Sequence, residues 1–240
     1  MLEIVTGSAP TGKPPEGRPQ AATGKARGVF SDHRFWFWAL LLVAGFAYVA
    51  GVLCHRGIPF ASRRGGYAEI TKLLLAAPFL YFLGPRHNMK LSWGHALGYV
   101  LLFFLALHWF YLQRISVINY SLTWNDLSHM RPIGQMVFLG GGALILGLVA
   151  YHINLAQKAK ILASYILALL GSLAVIAGIT WVFRDRYYLH IHHYFLFGFF
   201  IPFTRFKNPV SLACQALCAG VYVEGVSEWS MATLWYLRHG

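Results

Sequence analysis

The segment His190-Ile-His192-His193 places three histidines within four residues of the chain. Neutral imidazole is a common metal ligand, and carboxylates often complete the sites of metals that it binds. Glu224 and Glu228 are four residues apart, so a helix presents both on one face. The apolar segments that carry the histidines and the acids are joined by the tight turn Lys207-Asn208-Pro209, which predicts that His190 or His193 lies within direct or water-bridged reach of Glu224 or Glu228. These five His and Glu residues predict a site for a transition metal, either Zn or Fe, or a site that transfers protons.

The same segment also has the composition of a polar boundary at a membrane surface. His190 and His193 share a helical face, whereas His192 points elsewhere. Tyrosine and tryptophan, which are common at membrane interfaces, surround the histidines and the acids: Tyr187, Tyr188, Tyr194 and Trp229. A hydrogen-bonded polar cluster with only a structural role is therefore the alternative to a metal or proton site.

A second group of histidines has the spacing of a haem-binding bundle. His95 and His108 are thirteen residues apart, which is close to 20 Å along a helix. His152 is placed to pair with His95, and His193 with His108, around b-type haem. A lone histidine on an apolar helix is more often hydrogen-bonded within the bundle, and we expect no haem in the purified protein.

Asp126 and His129 form a third candidate polar site in the long connection between residues 113 and 131. Their spacing of three suits a base and the residue that orients it, or a pair of ligands. Asn-Asp sequences are also common in turns and helix caps, which is the structural alternative.

Seven apolar runs position these residues. A helix needs about 20 residues to cross the roughly 30 Å hydrocarbon layer of a membrane, and most of the runs reach that length. The fold class that they predict is all-α, as a polytopic integral membrane bundle of six to seven transmembrane helices. The runs are 34–54, 67–84, 92–112, 132–153, 159–182, 189–206 and 209–229.

The composition agrees with a membrane protein. The chain has 240 residues, of which 57% are hydrophobic and 12% are charged. Soluble domains have about 25% charged residues. The net charge of +12 comes from Lys and Arg scattered through the tail and the connections, as in loops that flank membrane helices. No basic stripe with regularly spaced aromatics is present, which excludes nucleic acid as a partner.

The chain divides into a basic N-terminal tail, residues 1–30, and a multi-span helical domain, residues 31–240. The tail is poor in large apolar residues and is predicted to be disordered. If the runs alternate in direction, the tail lies on the face that carries more Lys and Arg, which predicts that it is cytoplasmic. The opposite face collects most of the acids: Glu69, Asp126, Asp185, Glu224 and Glu228.

Two further patterns concern helix packing. Glu69 and Lys72 are three residues apart and are predicted to pair on one face. The glycines of the fourth and fifth runs are expected to let helices approach closely, and these are Gly140, Gly141, Gly142, Gly147, Gly171 and Gly178.

The sequence therefore predicts a multi-pass membrane protein with a His/Glu cluster at one membrane face. As an enzyme, it would use a metal ion to act on a lipid-soluble substrate. As a carrier, a channel or a subunit that assembles with other membrane subunits, it would use the same residues to conduct protons. A b-type cytochrome is the second alternative.

Overall fold

The computed structural model describes residues 29–57, 66–90, 92–112, 129–189, 191–229, 231 and 234–237. Residues 1–28 of the predicted tail and residues 113–128 of the long connection lie outside this part of the chain, as do Asp126 and His190. Val29–Ser31 forms a short 3-10 helix that precedes the first long helix.

Nine α-helices account for most of the described residues, which establishes the all-α class. They are α1 (His33–His55), α2 (Gly66–Leu83), α3 (Pro85–Asn88), α4 (Trp93–Ala106), α5 (Trp109–Leu112), α6 (Pro132–Lys158), α7 (Leu162–Val182), α8 (His193–Phe200) and α9 (Pro209–Trp229). A 3-10 helix, Ile201–Thr204, continues α8. Strands β1 (Tyr187–Leu189) and β2 (Trp235–Leu237) pair antiparallel, with Tyr188 opposite Tyr236.

Two predicted spans are interrupted rather than continuous. The run 92–112 is divided into α4 and α5 by a turn at Leu107 and His108. The run 189–206 begins in β1 and continues as α8 and then as the 3-10 helix. Pro202 lies at the start of that 3-10 helix, and because proline has no N–H it cannot continue the α-helical hydrogen-bond ladder.

Helix α9 lies at the centre of the bundle, where it packs against α1, α4 and α8. Trp38, Phe103 and Val223 come from three of these helices and are completely buried. The indole of Trp38 donates a hydrogen bond to the buried Tyr99 hydroxyl at 3.2 Å. Contacts of this kind stabilise the bundle through van der Waals packing of the side chains and through the buried hydrogen bond.

Close approach of helices occurs at glycines of α9, not at the glycines predicted from the sequence. A Cβ on Gly220 would lie 2.6 Å from the Ala106 Cβ and would collide with the Phe103 carbonyl oxygen. By contrast, a Cβ on any of the glycines expected to mediate packing in α6 and α7 would meet nothing within 4 Å. That prediction is wrong within the described residues, because these glycines face outward from the bundle.

Helices α6 and α7 form a hairpin whose surface is almost entirely exposed. Across an eighteen-residue apolar window, 78% of the residues of α9 are buried, against 6% for α6 and 0% for α7. Four of the described helices are long and apolar enough to cross a membrane, namely α1, α6, α7 and α9. Two shorter apolar segments accompany them, Trp93–Ala106 and His193–Thr204.

Asp32 fixes the start of α1 and joins it to α2. Its carboxylate accepts hydrogen bonds from the Arg34 backbone N–H at 3.0 Å and from the Arg34 guanidinium at 2.7 Å. The Tyr81 hydroxyl of α2 also donates to it, at 2.7 Å. The hydrogen bond from the Arg34 side chain is the main reason that the pKa of Asp32 lies far below its usual range.

Candidate functional site

His193 and Glu224 meet where α8 begins and α9 approaches its end. The His193 Nε2 lies 3.2 Å from the Glu224 Oε2, and the Glu224 side chain is completely buried. The sequence prediction that these groups lie within reach of each other is confirmed. Gly225 permits the approach, because a Cβ there would lie 3.1 Å from the His193 Nε2 and would collide with the Tyr194 Cβ.

Glu228 extends the pair by one helical turn. Glu224 and Glu228 lie on the same face of α9, because they are four residues apart in one helix. The Glu224 Oε1 is buried and accepts no hydrogen bond from any described residue. Because a buried acceptor without a donor is costly, a proton shared between the two carboxyl groups would supply the donor that this oxygen lacks.

His192 precedes α8 as its N-cap residue, in extended backbone, and binds β2 rather than Glu224. Its Nε2 lies 2.8 Å from the Tyr236 hydroxyl of β2. Its ring also stacks on the Tyr194 ring, with 5.4 Å between the centroids. His192 therefore anchors the strand pair rather than joining Glu224 and Glu228.

The predicted metal set is not assembled in the described part of the chain. No group of three or more His, Cys, Asp or Glu side chains there is arranged to hold a metal ion. His192 is engaged with Tyr236, and His190 lies outside the described residues. Metal binding by His193, Glu224 and Glu228 therefore stays a prediction without structural support.

The three side chains offer a route for a proton between the surface and the interior. The His193 side chain is 26% exposed, whereas the Glu224 side chain is 0% exposed. A neutral imidazole takes up a proton at one nitrogen and releases one from the other, so it can pass a proton from water to a buried carboxylate. The arrangement has the parts of a short proton relay that ends at Glu224 and Glu228.

His108 does not offer a free nitrogen to a haem iron. Its Nδ1 lies 2.8 Å from the Phe104 carbonyl oxygen, and its Nε2 lies 2.9 Å from the Tyr48 hydroxyl. A neutral imidazole donates from one nitrogen and accepts at the other, which these two partners satisfy. His108 therefore joins α1 to the end of α4.

His152 is engaged in the same way, and His95 lies on the exterior. The His152 Nδ1 lies 2.7 Å from the Leu148 carbonyl oxygen, and its Nε2 lies 2.8 Å from the Ser211 hydroxyl. The Nδ1 of His95 lies 2.8 Å from the hydroxyl of Ser92, at an exposed position. These contacts favour the structural alternative for the histidines of the predicted haem site.

The remaining polar predictions have different outcomes. Lys72 donates to Glu69 at 2.8 Å, so the predicted pair is confirmed. Glu69 also accepts a hydrogen bond from the Met231 N–H at 2.5 Å, which joins the start of α2 to the segment after α9. His129 lies exposed in a turn before α6, while its predicted partner Asp126 lies outside the described residues.

Sequence reasoning missed the hydroxyl partners of the histidines, Tyr48, Ser211 and Tyr236. Each partner is 44 or more residues away along the chain, so its contact depends on how distant elements pack. For Tyr48 and Ser211, the contact depends on how two helices are rotated about their axes. The pattern of apolar residues does not predict this rotation well, because helices of this kind are apolar on most faces. The segment Trp235-Tyr236-Leu237 was the one available signal, since its two aromatic residues favour strands.

No protein-family model matches the chain, and no curated protein or solved structure matches it. A functional assignment therefore depends on the geometry of His193, Glu224 and Glu228 and on the apolar exterior of the helices.

Proposed function

We propose that the chain is an integral membrane protein that crosses the bilayer six or seven times and transfers protons through His193, Glu224 and Glu228. In this role it is a carrier, a channel or a subunit of a membrane complex. The observation that carries the proposal is Glu224, a completely buried carboxylate hydrogen-bonded to a partly exposed imidazole. Ionisable residues within membrane helices are costly and mark ion or proton paths.

Contacts between helix ends support an alternating path through the membrane. The Arg34 guanidinium at the start of α1 lies 3.4 Å from the Arg86 carbonyl oxygen, just after α2 ends. Glu69 near the start of α2 accepts from Met231, just after α9 ends. The start of one helix thus lies beside the end of its neighbour in both pairs, α1 with α2 and α2 with α9. This antiparallel arrangement is expected if each of the three helices crosses the bilayer.

Proton transfer is tested by reconstituting the full chain into liposomes that contain a pH-sensitive dye. We expect a potential-driven pH change that Glu224→Gln abolishes, because the amide keeps the shape but does not take up or release a proton near neutral pH. Asp185→Asn is the matched control, since it makes the same chemical change in a side chain that is 90% exposed. Equal flux through the unaltered chain and through Glu224→Gln would refute the proposal.

The crossing number is tested separately by cysteine-accessibility labelling. Cysteines introduced at Ser121 and Asn208 should react from opposite sides of the membrane, and one at Ser8 from the same side as Asn208. Labelling of Ser121 and Asn208 from one side would exclude seven crossings.

A metal-dependent enzyme that acts on a lipid-soluble substrate is the second proposal. Its support is the sequence pattern, since imidazole and carboxylate are the ligand types of Zn and Fe sites, whereas no group of three such side chains among the described residues is arranged to hold a metal ion. Metal analysis and an ultraviolet–visible spectrum of the purified protein separate the proposals. A stoichiometric metal that is lost in Glu224→Gln favours the enzyme, and a Soret band identifies haem. If the purified protein shows neither a metal nor a Soret band, proton transfer is the function that is favoured.

A further inference from the structure

Two basic segments that are distant along the chain form one surface. Arg86 and His87 belong to α3, while Arg205 and Lys207 lie between the 3-10 helix and α9. The buried Asn88 side chain of α3 donates to the Thr204 carbonyl oxygen at 2.8 Å, which fixes the two segments side by side. Arg86, His87, Arg205 and Lys207 are called the basic surface below.

The charges of the basic surface are close enough to act on one another. Partial desolvation is the largest cause of a lowered pKa at His87, and the Arg205 guanidinium is the second. Arg205 contributes more than Arg86, although Arg86 is the chain neighbour of His87, and Lys207 adds to the effect. The fold therefore concentrates positive charge at this point rather than leaving it scattered.

Both arginines are held against aromatic rings of neighbouring helices. The Arg86 guanidinium lies 5.2 Å from the centre of the Phe82 ring of α2, and the Arg205 guanidinium lies 5.6 Å from the centre of the Tyr165 ring of α7. Cation–π contacts of this kind restrict the guanidinium groups. They also place the charges where the apolar helix surfaces give way to polar connections.

The acid that lies beside this surface is already matched by its own cation. Asp32 is ion-paired with Arg34 at 2.7 Å, and Arg34 in turn lies against the Arg86 carbonyl oxygen. The carboxylate of Asp32 therefore leaves the charges of Arg86, Arg205 and Lys207 available to an external anion.

We propose that the basic surface binds the headgroup of an acidic phospholipid that carries more than one phosphate. Guanidinium groups bind phosphate through paired hydrogen bonds, and clustered basic residues beside membrane helices attract acidic lipids. The apolar rings of Phe82 and Tyr165 are placed to contact the glycerol and the first methylenes of the acyl chains. This inference rests on the proposed membrane embedding, and it assigns a ligand to the face opposite His193 and Glu224.

The test uses the purified full chain in detergent micelles and a fluorescent short-chain phosphatidylinositol 4,5-bisphosphate, with binding followed by anisotropy. The double variant Arg86→Gln/Arg205→Gln should weaken binding at least about tenfold, since each basic residue contributes to the attraction. Lys207→Gln should weaken it about fivefold. The matched control Lys158→Gln/Lys160→Gln removes two charges from the α6–α7 turn and should change binding by less than about twofold.

Equal loss of binding in the double variant and its control would overturn the inference, because general surface charge would then explain the attraction. Displacement of the probe by inorganic phosphate as readily as by unlabelled lipid would also overturn it, in favour of a simple anion site. Lys207 is exposed, so Lys207→Gln keeps the test decisive if the double variant fails to fold. Release of the chain from membranes by sodium carbonate would refute the embedding itself, whereas retention without lipid preference would refute this inference alone.

Discussion

Helix α9 and the α6–α7 hairpin are both apolar and long enough to cross a membrane, yet they are built for different surroundings. Helix α9 carries buried polar residues, including Gln215 and Glu224, and contacts helices on several sides. The hairpin has apolar side chains on nearly every exposed face and is held mainly near its ends. Length and hydropathy thus identify candidate spans but do not separate a helix buried among other helices from one whose apolar surface is exposed.

The difference extends to the glycines of the two regions. In α9, Gly220 and Gly225 lie where a methyl group has no room, whereas Gly141 and its neighbours in α6 face open space. Glycine therefore has a different structural role in each of the two regions. The glycines of α9 allow helix contact, and those of the hairpin are free to accept a side chain.

The largest expected effect compares these glycines directly. Gly220→Ala should lower the free energy of unfolding by about 3 kcal/mol, because backbone atoms at Phe103 cannot yield to the new methyl group. Gly141→Ala should change it by less than about 1 kcal/mol, since alanine also favours helix. Unfolding in mixed micelles with increasing denaturing detergent measures both. Equal effects of the two substitutions would remove the distinction between the regions.

A smaller effect is expected at the His193–Glu224 pair. His193→Ala should lower the free energy of unfolding by about 2 kcal/mol, because it leaves the buried Glu224 carboxylate without its hydrogen bond. Glu224→Gln should cost less, since the amide is neutral and still binds the imidazole. The same unfolding measurement applies, with the double variant to obtain the coupling between the two residues. If His193→Ala left the free energy of unfolding unchanged, the His193–Glu224 pair would not stabilise the bundle.

The cap at Asp32 gives a pH dependence in the packed region. Asp32 has a lowered pKa in the folded protein, so its contribution is fully present above the unfolded value of about 3.9 and is lost as the pH falls below that value. Asp32→Asn should lower stability by about 1 kcal/mol at neutral pH and should flatten the acid limb of the profile. Thermal unfolding between neutral and acidic pH checks this. Parallel profiles for both proteins would contradict the assignment.

The smallest effect is expected where the hairpin meets the strand pair. The Trp235 indole donates to the Thr180 hydroxyl oxygen at 3.0 Å. Thr180→Val removes this hydrogen bond, together with the one that the hydroxyl donates to the Ile176 carbonyl oxygen at 2.7 Å. The change should cost about 0.5–1 kcal/mol, while Thr180→Ser, which keeps the acceptor, should be neutral. Tryptophan fluorescence follows the local change, and the unfolding midpoint follows the global one. A loss as large as that of Gly220→Ala would mean that the hairpin is integral to the core.

Much of the helical plan could be predicted from the sequence, because apolar runs and their flanking charges report membrane-length helices directly. Helix α9 begins and ends at the predicted residues, and α1 differs by one residue at each end. The interruptions at His108 and Pro202 were not predicted. They depend on local hydrogen bonds and on backbone geometry, to which hydropathy is insensitive.

The candidate site was predicted in part for a similar physical reason. A tight connection between two apolar runs placed His193 opposite Glu224, and the spacing of Glu224 and Glu228 placed both on one face. The engagement of His108 and His152 with Tyr48 and Ser211 was not predicted, since it depends on contacts between distant helices. Those hydrogen bonds are what favours a structural role for histidines that looked like haem ligands.

The polar interior of α9 also has a consequence for biosynthesis. In chain order α9 follows the other eight helices, and it carries Gln215 and Glu224, whose polar groups are costly against lipid. The α6–α7 hairpin, in contrast, has an almost entirely exposed apolar surface, so in the proposed membrane it can enter the bilayer without other helices. We therefore expect α9 to insert after the other helices, into a cleft that α1, α4 and α8 have already formed. A chain that ends before α9 would leave that cleft without the helix that fills it.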